Sequence, residues 1–505
     1  MSKLDDQNRQ LLQDAIRIWQ AGVAAVTPRR LFQDLVRIER GDLVVGDSQT
    51  SLAGVRRLVV IGAGKASAAM AAEFERTIAP QLSALPQSIS LTGWINCPQG
   101  ADLDAVNSLP QVQYPANESQ VLQDLPQEHT TTPAGITLFP ARPIGVNQPT
   151  TLAVHGTNRI LDLVGQCDDD DLVVCMLSGG GSALLVAPVE GITLSDKQRV
   201  AQIVAAAGGD IHQLNSIRRC LSSVKGGGLA RACRAKRMLV LVLSDVLGDP
   251  LDVIASGPTL RSATCQPTVA LQALDQLGLS NHPLLSACMH YLRSAQAAFP
   301  AERGPIPTLD LGCEVEHVIL GNNADAVDAA GVKAVELGYR YVMQAARTSE
   351  GDVSSVAAMA AQATKQIAKD QNVDCWISGG EPTVTLPDTS GLGGRNQHLV
   401  LSVLKTLVGA GWPESGEFPR PIVFLSGGSD GEDGPTDAAG AYLDADIWNT
   451  AQRQGLDIDS YLRRADSYHF FEPVGGLLQT GPTGTNVCDL RIALAELGTD
   501  HRSAR

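Results

Sequence analysis

The sequence predicts an α/β protein of two domains, each a sheet flanked by helices. Three observations carry that reading. Apolar runs with the length of buried strands alternate with helical periodicity in both halves of the 505 residues. Three of those runs end in one phrase, at Ser178-Gly179-Gly180, Ser378-Gly379-Gly380 and Ser426-Gly427-Gly428. Glycine is abundant at 49 residues while aromatics make up only 4%, which suits many tight strand-to-helix turns. In open α/β sheets ligands bind beyond the carboxyl ends of strands, so such ends predict an anion or nucleotide crevice.

Leu11 to Arg40 carries helical periodicity through Leu12, Ile16, Ile18 and Trp19. A strand over Arg57–Ile61, a turn Gly62-Ala63-Gly64-Lys65 and an Ala-rich helix over Ala66–Thr77 open a doubly wound unit. After a strand over Ile89–Ile95, the stretch from Pro98 to Ala141 fades into Gln, Pro, Asp and Thr, predicting an extended loop or insertion at the sheet's edge. Alternation resumes with helix Thr151–Val164, the strand ending at Leu177, helices over Ser195–Ala207 and Gly227–Ala235, and strand Met238–Leu243. Two helices parted by His282-Pro283 follow, and the Pro- and Gly-rich Gly304–Gly312 marks a boundary between domains over 8–300 and 315–500. The second series runs from strand His317–Leu320 through helix Ala324–Leu337, strand Arg340–Gln344 and helix Val353–Lys369 to the strands ending at Ser378 and Ser426. An active-site cleft is expected between the domains.

The net charge of -15 argues against nucleic-acid and acidic-membrane partners through long-range repulsion, and leaves room for a small anion in a local basic pocket. The ten cysteines are scattered without a Cys-x-x-Cys pair, which reads as reduced thiols rather than a disulfide framework or zinc site. The polar amino terminus lacks a cleavable apolar segment and no run is long enough to span a bilayer, so cytoplasmic residence is expected.

Gly62-x-Gly64-Lys65-x-Ser67 lets backbone approach a phosphate and sets a helix amino terminus against it. It is a poor dinucleotide fingerprint, because Ser67 stands at the third glycine and the next strand runs into Asn96-Cys97-Pro98 without a ribose-binding acid. It is not a Walker A loop either. A lysine in the first helical turn opposes the helix dipole, so Lys65 points at an anion or is a solvated surface residue. Lys225-Gly226-Gly227-Gly228, with Arg218 and Arg219 upstream, combines cations with a glycine run ahead of a helix and suits anions, the alternative being that Arg218 and Arg219 are simply solvated. Asp245 and Asp249 end a strand and either orient substrate, hold Mg²⁺ or form a turn. In Gly391-Leu392-Gly393-Gly394-Arg395-Asn396-Gln397-His398, an arginine ordered among glycines is best explained by bidentate recognition of carboxylate or phosphate. Asp430, Glu432, Asp433 and Asp437 are metal candidates without calcium-loop spacing, and Thr480–Asn486 offers hydroxyls and an amide. No Ser-His-Asp order stands out, and His398 reads as a helix-surface residue.

Taken together, these motifs resemble the glycerate 2-kinase family, often labelled hydroxypyruvate reductases, whose members carry a carboxy-terminal MOFRL domain. The resemblance rests on Gly62–Ala66, Ser178–Ala183, Lys225–Ala230, Ser244-Asp245-Val246 with Gly248-Asp249-Pro250, Ser256–Thr259, Ser378–Thr383, Gly393–Gln397 and Thr480–Asn486, spread over residues 55 to 495. It implies a Rossmann-like first domain, a MOFRL-like second domain, and ATP- and Mg²⁺-dependent phosphorylation of D-glycerate at its 2-hydroxyl. The residues it implies are Lys65 and Arg395 for catalysis, with Gly62, Gly64, Ser178, Gly179, Gly180, Gly181, Ser182, Lys225, Glu381 and Asn486 around substrate and phosphates. Asp245 and Asp430 are the implied metal ligands, and Asp437 is a further candidate. Glycerate and ATP are the expected partners, and a homodimer is compatible with the resemblance. The chain departs from the family at Arg142-Pro143-Ile144-Gly145-Val146-Asn147, where members have a His-Pro-x-Pro-Asp stretch, and at Cys488, where an asparagine is usual. A nicotinamide-dependent hydroxypyruvate reductase and a non-catalytic metabolite-binding protein are the competing readings.

Overall fold

A computed structural model of the chain describes residues 3–100, 129–143, 148–260, 266–298, 313–387, 389–414, 416 and 418–497. They fall into two units. The first comprises Leu31–Leu243 and Asp249–Leu320, and the second Met1–Arg30, Ser244–Gly248 and Gly321–Arg505.

The first unit opens with a three-stranded antiparallel meander, β1 (Val36–Glu39), β2 (Asp42–Val45) and β3 (Ser48–Ser51). Its main sheet holds β4 (Arg57–Ala63), β5 (Ser90–Pro98), β6 (Thr130–Thr131), β7 (Ile136–Arg142), β8 (Asp171–Leu177), β9 (Arg237–Leu243) and β10 (Glu314–Gly321) in the order β10-β9-β8-β4-β5-β7-β6. β4, β8 and β9 are near-continuous apolar runs because a parallel sheet is covered on both faces, and almost every residue in them is buried. From β4 the chain moves outward through β5 to β7. It then returns by the helix Thr151–Gly165 to place β8 on the opposite side of β4. The order therefore reverses between β4 and β8, and the loops leaving these two strands frame the switch point. A satellite core of Val200, Val204, Ile217, Leu274 and Leu292 joins the helices Leu194–Ala206, Ile211–Cys220, Pro267–Gln276 and Ser286–Ala298.

The second unit holds β11 (Tyr341–Ala345), β12 (Cys375–Gly380), β13 (Ile422–Gly428), β14 (Gly440–Leu443), β15 (Leu477–Leu478) and β16 (Asp489–Ala495) in the order β11-β12-β16-β13-β14-β15. Among the described residues of this sheet β11 and β12 alone pair in parallel; β16 lies antiparallel between β12 and β13. The register sets Asp489 between Gly380 and Gly428, and Arg491 between Ser378 and Ser426. The helix Lys3–Ala25 packs on this sheet, where Trp19 Nε1 donates to the Gly427 carbonyl at 3.2 Å.

Several expected elements differ. The helix over Leu11–Arg40 ends at Ala25, a second helix starts at Pro28, and Val36 begins the meander. Pro28 cannot continue a helix but suits its first position, which explains the break. The strand at His317–Leu320 closes the first sheet beside β9 instead of opening a second series. In the stretch Pro98–Ala141, residues 129–143 supply β6 and β7; the remainder from 101 to 128 lies outside the described residues, as does Gly304–Gly312. Pro140 and Pro98 hid β7, because a proline argues against a strand; here the pair sits at a register shift. Gly379, Gly380, Gly427 and Gly428 lie within strands rather than in turns. Among the described residues no helix is long and apolar enough to cross a membrane, and nine cysteines are buried and unbridged.

Candidate functional site

The predicted site residues gather in two centres, one in each unit. In the first, the loops after β4 and β8 are stitched together by backbone. Lys65 N donates to Gly179 O at 2.8 Å and Ser178 N to Ala63 O at 3.3 Å. Ser178 Oγ accepts from Ala66 N at 3.0 Å, capping the helix Ser67–Leu82, and lies 3.3 Å from Ser67 Oγ. Ser178 is 1% exposed, so its hydroxyl holds the loop rather than facing a ligand. Gly64 sits at φ 153, where a Cβ would collide with Ser178 Oγ. Gly62 is likewise forced by contact with Met176 O. Lys65 is half-buried at the entrance to its helix, where the dipole favours an anion and leaves a cation unfavourable by itself.

Arg142 belongs to this centre, although sequence reasoning saw it only as a departure. It is 2% exposed, and a Cβ on Gly180 would lie 3.0 Å from its Nη2 and 3.5 Å from Lys65 Cγ. Ile144–Asn147 lie outside the described residues. Arg142 thus brings a cation to the Gly180 turn. Asn96 stands at the end of β5, where a nicotinamide site needs an acid. Its amide is consumed: Nδ2 donates to Leu184 O at 2.8 Å, and Oδ1 accepts from Trp94 Nε1 at 3.0 Å. Ser182 and Lys225 also lie in this unit, with Lys225 Nζ donating to Ser182 O at 2.9 Å.

The second centre is built on charge. Arg395 opens the helix Arg395–Gly409. Its Nε and Nη2 donate to Asp489 Oδ2 and Oδ1 at 2.7 and 2.9 Å, and its Nη1 to Glu381 Oε1 at 2.6 Å. Asp489 has no exposure, whereas the Glu381 side chain is 43% exposed. The first carboxylate is therefore a fixed anchor and the second an outer partner within reach of solvent. These two anions hold the Arg395 guanidinium well above its ordinary value, against the desolvation that pulls it down. Asp489 escaped sequence reasoning because its importance comes from the register of β16 alone.

Asp433 caps the same helix from a distance, accepting Asn396 N at 3.0 Å and Gln397 N at 2.8 Å. A Cβ on Gly394 would collide with the Asp433 carboxyl, which accounts for a glycine before Arg395 by close approach. Burial pushes the Asp433 carboxyl up to about 7, against the pull of the two N–H donors. Asn486 Nδ2 donates to Asp245 Oδ2 at 3.4 Å, and the Cys488 thiol to Asp245 O at 2.9 Å, with Glu381 Oε2 at 3.8 Å. Asp245, Asn486, Glu381 and Arg395 are thus brought together. A Cβ on Gly428 would lie 3.1 Å from Asp430 Oδ1 and 3.6 Å from Asp489 Oδ1, so Asp430 borders the same ground. Asp437 does not; it is exposed and accepts from Tyr468 and Gln479. His398 is half-buried, not a surface residue, and burial lowers its pKa.

Residues 14–292 match the family described as a domain of unknown function, DUF4147, and residues 374–489 the MOFRL family. A glycerate kinase from Danio rerio is 34% identical over 94% of this chain and 96% of its own. The chain belongs to the glycerate kinase family. Another member, the D-glycerate 2-kinase of Thermotoga maritima, is 36% identical over 68% of this chain and 78% of its own. A crystal structure of glycerate kinase from Thermotoga maritima superposes with a TM-score of 0.70 at 29% identity, covering 96% of this chain and all of that one. The family's fold is therefore the fold described above.

Proposed function

We propose that the chain transfers the terminal phosphoryl group of ATP to the 2-hydroxyl of D-glycerate, giving 2-phosphoglycerate and ADP. The observation that carries this reading beyond the family is the pair of cations at helix amino termini, Lys65 and Arg395, each set among glycine turns. Phosphoryl transfer needs little covalent chemistry from a protein and much fixed positive charge around the transferring group. Lys65, with Arg142 beside Gly180, supports a phosphate-binding role for the first centre. Arg395 offers a planar fork already aligned by Asp489, and a substrate anion would take the position of Glu381 on its outer edge.

The carboxylates fit Mg²⁺ that arrives with the nucleotide, since that ion takes one or two carboxylates plus phosphate oxygens and water. Both candidate carboxylates are already engaged: Asp245 Oδ2 accepts Asn486 and its backbone oxygen accepts Cys488, while Asp430 Oδ1 accepts Glu432 N at 3.1 Å, so either would have to share an oxygen with the ion. Among the described residues no group of three or more His, Cys, Asp or Glu forms an all-protein cage. Bound Mg²⁺ would neutralise charge on the phosphates. The consumed amide of Asn96 weighs against a nicotinamide-dependent reductase. The test is Mg²⁺-ATP turnover with D-glycerate against hydroxypyruvate plus NADPH; 2-phosphoglycerate formation supports the reading, and nicotinamide oxidation without ADP release contradicts it.

A further inference from the structure

Lys225 does not behave as a phosphate-binding cation. It is 1% exposed, and its Nζ lies 2.9 Å from Ser182 O and 3.1 Å from Ser256 Oγ. Ser256 Oγ is in turn 2.9 Å from Ser182 Oγ. Ser256 is 6% exposed, and Ser182 is the half-buried end of this line of atoms, directly after the Gly179–Gly181 turn. The backbone is contorted to hold it. Ala255, Ser256 and Gly257 stand at φ 49, 66 and 60, a left-handed run in which two residues carry side chains. Such residues are strained and persist where surroundings over-determine them, commonly at active sites. Gly226 N donates to Ser256 O at 3.2 Å and Gly227 N to Gly257 O at 2.8 Å. The glycine run thus clamps the strained turn onto Lys225.

The charged groups facing Lys225 are Arg218, Lys197 and Arg219, all cations, and Arg219 is bound to Asp252. Burial first, and then these like charges, hold the Lys225 ammonium well below the ordinary lysine value.

We propose that Ser182, Ser256 and Lys225 form a proton relay that receives the hydroxyl proton of the phosphoryl acceptor, a role that rests on the kinase reading above. When Lys225 is neutral, Ser182 O–H donates to Ser256 Oγ and Ser256 O–H to the Nζ lone pair; when Lys225 is charged, Nζ donates to Ser256 Oγ instead. As the acceptor oxygen bonds to phosphorus and the bond from phosphorus to the leaving ADP oxygen breaks, Ser182 Oγ takes the acceptor's proton. Ser182 passes its own to Ser256, and Ser256 passes its own to Lys225. One O–H is lost, one N–H forms, and both serines end neutral. Ser182 touches the substrate; Ser256 and Lys225 are positioning residues that act through it.

The test uses the full chain with Mg²⁺-ATP and D-glycerate and reads kcat against pH. Ser256→Gly is the decisive variant, because glycine adopts a positive φ without strain while the hydroxyl is removed. Wild type is expected to lose rate as pH falls and Lys225 takes up a proton. Ser256→Gly and Lys225→Met are expected to lose about 100-fold or more in kcat, to lose that acid-side fall, and to keep the KM for ATP. Should Lys225→Met fail to fold, Ser256→Gly decides alone, since it leaves Lys225 in place. An active wild type whose Ser256→Gly variant keeps both kcat and the acid-side fall overturns the relay alone. A wild type that makes no 2-phosphoglycerate overturns the kinase reading, and the relay with it.

Discussion

The two centres hold their cations by opposite means. At Lys65 the positioning is done by backbone: parallel strands deliver two glycine turns to the switch point, and Lys65 N and Ser178 Oγ knit them together. At Arg395 it is done by charge, with a guanidinium gripped by a carboxylate that has no exposure. Where backbone bonds hold the loop itself, the turn should outlast the loss of the Lys65 side chain. A side chain that neutralises a buried partner cannot be removed without disturbing that partner.

The largest effect should follow Arg395→Ala, which leaves Asp489 buried and uncompensated. Breaking a buried pair from one side costs about 3–5 kcal/mol, so chemical denaturation should report that loss together with loss of turnover. Lys65→Ala comes next. Its kcat should fall about 100- to 1000-fold while the loss of unfolding free energy stays well below that of Arg395→Ala. Equal destabilisation by both variants would erase the contrast between the centres.

A third effect is on pH. The folded Asp433 carboxyl is raised from 3.8 to about 7, so its contribution to stability is fully present below the lower value and lost as pH rises through the upper one. Melting temperature should therefore decline from about pH 4 to about pH 7 and level off above that, and Asp433→Asn should flatten that decline. Smallest is Glu381→Gln. An ion pair with a 43% exposed partner is worth about 1 kcal/mol or less, so stability should barely move, and the change should show in the KM for glycerate.

What was legible in the sequence was local. The β4 turn with Lys65 could be read because an apolar run, two glycines and a helical pattern lie within one short stretch. Arg395 could be read from its glycines, although the reason differed: Gly394 is small because Asp433 caps the helix through the space a side chain would fill. Asp489 could not be read, because only the antiparallel register of β16 brings it between Gly380 and Gly428. Likewise the link from Lys225 to Ser256 depends on a left-handed turn at Ala255 and Ser256 that side-chain pattern does not announce. The β7 strand was concealed by Pro140, and with it the burial of Arg142 beside Gly180.

The most direct test of the central claim is the position of the phosphate in the product, read by phosphorus NMR after incubating the full chain with Mg²⁺-ATP and D-glycerate. The account predicts 2-phosphoglycerate formed in step with ADP and abolished in Lys65→Ala and Arg395→Ala. Phosphate on the 3-hydroxyl, or no glycerate-dependent ADP release from folded protein, would contradict it.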